Sequence, residues 1–207
     1  MAKTSTIEIS LTDFVDFVSK SGTSKLTKVK QVKNRGDYSP ATDFYKALRE
    51  GIIDVHSKNL GKAELDKILG RITDPKKIKS YTDCVDAYKK HWGKKTLGWF
   101  EPPFKHWQEG SLRVRINPEL GIDTGSELIV IKLYFKAEKL SKAKVDQVLT
   151  LMEKELRSEV GGEESDVLFG LLDIQASKLY LNKGRSINLL PLLVGEARSF
   201  ETIYKAV

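Results

Sequence analysis

The residues best suited to chemistry lie close together between Leu112 and Lys136. Arg113 and Arg115 alternate with Leu112, Val114 and Ile116, while Lys132, Tyr134 and Lys136 alternate with Ile131, Leu133 and Phe135. Successive side chains of an extended strand point to opposite faces, so each run reads as a strand with one apolar and one basic face. Asp123-Thr124-Gly125 between them is turn chemistry, because glycine tolerates the positive φ of a tight reversal. Read as one pair of strands, Leu112–Gly121 and Glu127–Lys136 offer Arg113, Arg115, Lys132, Tyr134 and Lys136 to one sheet face, suited to phosphate oxygens. Glu119 and Lys132 stand at similar distances from the turn. They read as a cross-strand ion pair, as a solvated strand end beside a snorkelling lysine, or as a carboxylate and ammonium in a ligand or catalytic site.

A second concentration of charge is Lys25–Arg35, with Lys28, Lys30, Lys33 and Arg35 as its candidate phosphate contacts. Val29 and Val32 resolve no single period, so the segment reads as a basic strand or extended arm. It is either a nucleic-acid contact, where each neutralised phosphate releases counterions, or an edge strand protected by lysines. The net charge of +7 permits DNA, RNA or an acidic protein as partner without requiring any of them. One cysteine excludes an intrachain disulfide and fits a reducing cytoplasm. With three histidines, it leaves few ligands for a structural zinc site. No apolar run approaches the ~20 residues that cross a bilayer, and no apolar segment follows Met1–Ser5 as in a secretory signal. The expectation is a cytoplasmic protein with no membrane partner.

The elements that must position these groups give an α+β chain: a helical section over 1–93 with an N-terminal strand, then a core over 94–207 with a mostly antiparallel sheet flanked by helices. Thr6–Leu11 alternates as a strand, and Thr12 or Asp13 can cap a helix carrying Phe14, Val15, Phe17 and Val18 that Gly22 ends. A helix is expected from Tyr38-Ser39-Pro40 through Val55, with His56 at its C-terminal end, favoured there by the dipole. A short helix over Gly61–Leu69 follows. The next runs from Asp74-Pro75 to Trp92 with Ile78, Tyr81, Val85, Tyr88 and Trp92 on one stripe. Trp99–Trp107, rich in aromatics and proline, reads as an edge strand or covering loop. Its aromatic faces suit either core packing or unpaired bases. After the central strands come a helix from Leu140-Ser141 to Leu156 with Lys144, Glu153 and Arg157 on its polar face, and a loop at 161–165. A buried strand over Val167–Ile174, a hairpin partner over Lys178–Leu181, a basic turn to Arg185 and a last helix that Pro191 starts or interrupts complete the chain.

From Pro75 the order helix, strand, strand, strand, helix, strand resembles the αβββαβ core of the PD-(D/E)XK nuclease superfamily, over about residues 75–175. The matching letters are Pro118-Glu119, with Glu119 in the acid position, and Lys132 in the lysine position. The resemblance implies Mg²⁺ held by Glu119 and a second acid, with Lys132 helping to activate water. The second acid position holds Val130, so that role would fall to Asp123, Glu127, Asp83 or Asp86. A divalent ion with oxygen ligands takes one or two carboxylates plus water or phosphate, and an ammonium repels it. Dinucleotide and phosphate loops, the nucleophile elbow and the zinc helix are absent from the sequence. Three functions remain: a nucleic-acid-associated protein with a nuclease-like core, catalytic or not; an adaptor or assembly protein meeting an acidic partner; and a metal-dependent nuclease.

Overall fold

A computed structural model describes residues 6–36, 43–160, 166–182 and 187–207. The expected helix start at Tyr38–Pro40, the 161–165 loop and the basic turn at 183–185 lie outside them. The α+β class holds: among the described residues eight strands form two mixed sheets, with helices packed around them.

The central strands part company at Asn117-Pro118. β4 (Leu112–Ile116) is the middle of a three-stranded sheet in the order β1-β4-β3, where β1 is Ile7–Ser10 and β3 is Lys105–Glu109. β5 (Leu120–Asp123) and β6 (Leu128–Tyr134) form a hairpin in a five-stranded sheet. Its order is β2-β5-β6-β7-β8, with β2 Gly98–Phe100, β7 Leu168–Asp173 and β8 Lys178–Leu181. The hairpin turn is as expected: Gly125 has φ +83°, and the Asp123 carboxylate accepts from its N–H at 2.7 Å. The preceding arm is not one strand, because proline cannot donate to a ladder. Pro118 ends β4's run, and the chain crosses to the second sheet. Five strands therefore separate the flanking helices where the αβββαβ reading had three. Trp99–Trp107 supplies two edge strands, one to each sheet.

The larger sheet is buried on both faces. On one, Ile129, Ile131, Leu133 and Phe135 pack with α3 (Lys46–Ser57), α4 (Asp66–Leu69, entered through a 3-10 turn) and α5 (Pro75–Trp92). On the other, Val130, Tyr134, Phe169 and Leu171 meet α1 (Leu11–Val18), α6 (Lys142–Leu156), α7 (Leu190–Ala206) and the inner face of the small sheet. The parallel β6–β7 pair is joined by α6, the crossover such a pair needs. Gly121 on β5 lets the β2 edge close in: a Cβ there would lie 2.3 Å from the Phe100 carbonyl oxygen and 2.7 Å from its ring.

Several local expectations change in three dimensions. Lys25–Lys33 lies within an α-helix, α2 (Thr23–Lys33), not a strand or arm. Its weakly amphipathic pattern is compensated by ion pairs to distant residues, which no local period reveals. The α1 cap is Ser10, whose hydroxyl oxygen accepts from the Asp13 N–H at 3.0 Å. Lys144, Glu153 and Arg157 are buried rather than on a solvated face, the last two paired with each other. Ile78 is exposed, and Cys84 takes its place on the α5 stripe. His56 is buried, stacked on Trp92 at 4.4 Å and bonded through Nε2 to the Tyr88 hydroxyl at 2.6 Å. Burial pushes its pKa down to about 4, so it is neutral and gains nothing from the helix dipole as a cation.

Two predictions follow from this packing. Gly121→Ala is expected to destabilise the chain by about 1–3 kcal/mol through overpacking, read as a lower denaturant midpoint; an unchanged midpoint would contradict the close approach. Between pH 6.5 and 4 the unfolded chain binds a proton at His56 that the folded chain refuses, so stability falls as pH drops through this window. The loss is on the order of 3 kcal/mol at about 1.4 kcal/mol per unit, and His56→Phe should flatten that part of the pH profile in urea titrations.

Candidate functional site

Glu119 and Lys132 are brought together, directly opposite each other beyond the Leu120–Ile131 pair. Lys132 Nζ donates to Glu119 Oε1 at 2.6 Å and to the Asn117 carbonyl at 2.8 Å. Glu119 Oε2 accepts from the Leu133 N–H at 2.7 Å. β5 begins only at Leu120, so the carboxylate stands in for the strand carbonyl missing opposite β6. Both residues are buried. The gap beside Lys132, walled by Val15, Tyr134, Lys144 and Leu171, has a volume of about 10 Å³, room for about one water. The cross-strand ion pair is the geometry found.

These residues do not fit Mg²⁺. One Glu119 oxygen is held by an ammonium and the other by a backbone N–H. Asp123, Glu127, Asp83 and Asp86 are all exposed, and α5, which carries the last two, packs on the opposite face of the sheet. No group of three or more His, Cys, Asp or Glu side chains able to hold a metal occurs among the described residues.

The expected basic wall divides between the two sheets. Lys132 and Tyr134 face the core beneath α1 and α6, and Lys136 reaches Asp16. Asp13 and Asp16, three residues apart on one face of α1, collect Lys28 and Arg35 of the remaining candidates, and Lys144 besides. Lys28 bonds Asp13 at 2.8 Å and lies 3.7 Å from Asp16; Lys144 is 2.7 Å from Asp16 and 5.6 Å from the Tyr134 ring centre. Arg35 grips both Asp13 oxygens at 2.9 Å. Burial alone would raise the pKa values of these two carboxyls. Bonds from Arg35 and Lys28 hold Asp13 well below the usual range, and bonds from Lys136 and Lys144 lower Asp16. Lys33 donates to the Tyr204 and Val207 carbonyls. Lys30 points outward with no ion-pair partner among the described residues.

Arg113 and Arg115 do share an open surface. Among the described residues no helix covers the outer face of the small sheet, and their side chains are 41% and 46% exposed. β1 runs parallel to β4, so Glu8 sits opposite Arg113, 4.0 Å from its Nε and 3.7 Å from that of Arg115. On the other side His106 pairs with Arg115 across β3–β4, and its Nδ1 accepts from Arg113 Nη2 at 2.9 Å. Desolvation and the two arginines lower the His106 pKa, against the opposing pull of Glu8. The Phe104 ring, 53% exposed, meets His106 edge-on at 4.7 Å. Glu8 was not singled out in the sequence, and Phe104 only as part of the aromatic Trp99–Trp107 stretch. Glu8 between Ile7 and Ile9 signals an outward side chain, but its pairing with β4 spans about a hundred residues and leaves no local mark.

The chain matches no protein-family model and no curated protein. The site must therefore be judged on its own geometry.

Removing one member of the buried pair is expected to cost about 3–5 kcal/mol, because the other charge is stranded. Lys132→Met and Glu119→Gln should each lower the urea midpoint sharply. The double variant should recover part of the loss, and strictly additive losses would show that the two are not coupled.

Proposed function

We propose that the protein binds single-stranded nucleic acid through the outer face of the β1-β4-β3 sheet, without catalysing a reaction on it. The observation that carries this reading is the exposed pair Arg113 and Arg115, side by side on an uncovered sheet with the Phe104 ring at its margin. Arginine forks suit phosphate oxygens, and an exposed ring offers a stacking platform for a base of any identity. Three strands of four or five residues make a surface roughly 10 Å by 15 Å, the scale on which sheet-based RNA-binding modules stack about two or three bases. Glu8 offsets one of the two positive charges, which favours modest affinity and strong dependence on salt.

On this reading Glu119 and Lys132 serve the fold rather than hydrolysis. The support is that each Glu119 oxygen already has a donor from its own chain. With five strands between α5 and α6 instead of three, the resemblance to a nuclease core is proposed only for the β5–β6 hairpin and its flanking helices, and Mg²⁺ has no assigned place.

Fluorescence anisotropy with labelled oligo-U and oligo-dT tests the proposal. Arg113→Ala with Arg115→Ala should weaken binding at least about tenfold, and should reduce the slope of log K against log salt by about 1.4, the value for two phosphates on a single strand. Phe104→Ala should cost about 1–3 kcal/mol, while Lys142→Ala should change little. Binding that ignores salt, or that survives the double arginine change, removes this face from nucleic-acid recognition. No binding at low salt would favour an acidic protein as the partner.

A further inference from the structure

A cleft of about 540 Å³ lies away from the small sheet, between the end of α3 and the loop that leaves α5. Residues 59–62 form one wall and residues 92–98 the other. Its size is within the roughly 300–1,000 Å³ of small-molecule sites. The charged groups lining it are Lys62, Lys94 and Lys95, and no carboxylate lines it. Of the acids near it in sequence, Asp54 pairs with Lys58, Glu64 with Lys67 and Asp66 with Lys89, while Glu101, three residues beyond the lining, is exposed and pairs with none of the cleft lysines among the described residues. The three cleft lysines have no carboxylate partner among the described residues.

What these lysines do bond is backbone. Lys62 Nζ donates to the Gly93 carbonyl at 2.6 Å, a strut between the two walls, and Lys95 Nζ reaches the His91 carbonyl at 3.4 Å. Capping the end of α5 in this way uses one of the three donors on each ammonium. The rest are available to the cleft, together with all those of Lys94. Leu60 and Leu97 add an apolar surface beside the charges. Three ammonium groups around one concavity, without compensating acids, favour a ligand that concentrates negative charge in a few atoms.

We propose that this cleft binds a small molecule carrying adjacent phosphates, of nucleoside di- or triphosphate size. The site is separate from the arginine face, and neither depends on the other. Isothermal titration calorimetry on the full chain tests it with ATP, inorganic triphosphate and adenosine. ATP and triphosphate should bind and adenosine should not. Lys94→Ala with Lys95→Ala should weaken ATP at least about tenfold, the loss of one charged hydrogen bond or more. Arg113→Ala with Arg115→Ala should leave ATP binding unchanged. Lys94→Glu alone, at a lysine with no hydrogen bond or ion pair among the described residues, should weaken ATP with no change in melting temperature, which separates loss of contact from loss of structure. The proposal is overturned if neither polyphosphate binds, if adenosine binds as well as ATP, or if binding survives both lysine changes.

Discussion

The Glu119–Lys132 pair is the interaction on which the arrangement of the two sheets turns. The chain leaves one sheet at Ile116 and enters the other at Leu120. Of the intervening residues, Glu119 still donates its N–H to the Ile131 carbonyl at 3.0 Å, and the remaining polar groups need other partners. Lys132 meets that need from across the hairpin by holding the Asn117 carbonyl, and Glu119 does so by taking the Leu133 N–H. Burying two charges is costly, and only good geometry with every lone pair and proton used makes it tolerable. Here the carboxylate has a donor on each oxygen, and the ammonium bonds a carboxylate and a carbonyl. The ammonium keeps one of its three protons unpaired, but both carboxylate oxygens that fix the crossover are taken, which leaves little for a substrate to displace.

A second constraint is the disposition of charge. A chain with a net charge of +7 has cations to spare, but most of the candidate binding lysines are committed internally. Asp13 and Asp16 draw α2, the end of β6 and the start of α6 onto α1. These contacts hold together elements that hydrophobic burial alone specifies weakly. α2 buries only Lys28 and Val29, so much of its attachment is electrostatic. The cations left facing solvent at shaped surfaces are the arginines of the small sheet and the lysines of the α5 cleft. The surfaces proposed for function are thus those where cations stay exposed, not those where positive residues are densest in the chain.

Local pattern carried much of the architecture. Asp74-Pro75, Ser141 and Pro191 marked helix starts, and the Asp123–Gly125 turn and the Lys178–Leu181 hairpin partner were legible from residue types alone. What could not be read was which strand joins which sheet. The alternation of Arg113 and Arg115 with apolar neighbours was sound. Their supposed neighbours Lys132 and Tyr134 were assigned by proximity in sequence, and Pro118 broke that link. Parallel pairing of β1 with β4 and the capture of Lys28 and Arg35 by α1 are non-local, set by packing rather than by period. The Glu119–Lys132 pairing was visible because a hairpin with a recognisable turn makes its register countable.

The parallel partnership of β1 and β4 also bears on how the molecule comes into being on the ribosome. Ile7–Ser10 is synthesised about a hundred residues before its partner Leu112–Arg115. At roughly 5–20 residues per second, that is a wait of some 5–20 seconds with Ile7 and Ile9 lacking the strand that will cover them. Glu8 cannot meet the two arginines before then. The nascent N-terminal strand is thus exposed to chaperones and to other unfinished chains, and the arginine surface is among the later features to take shape.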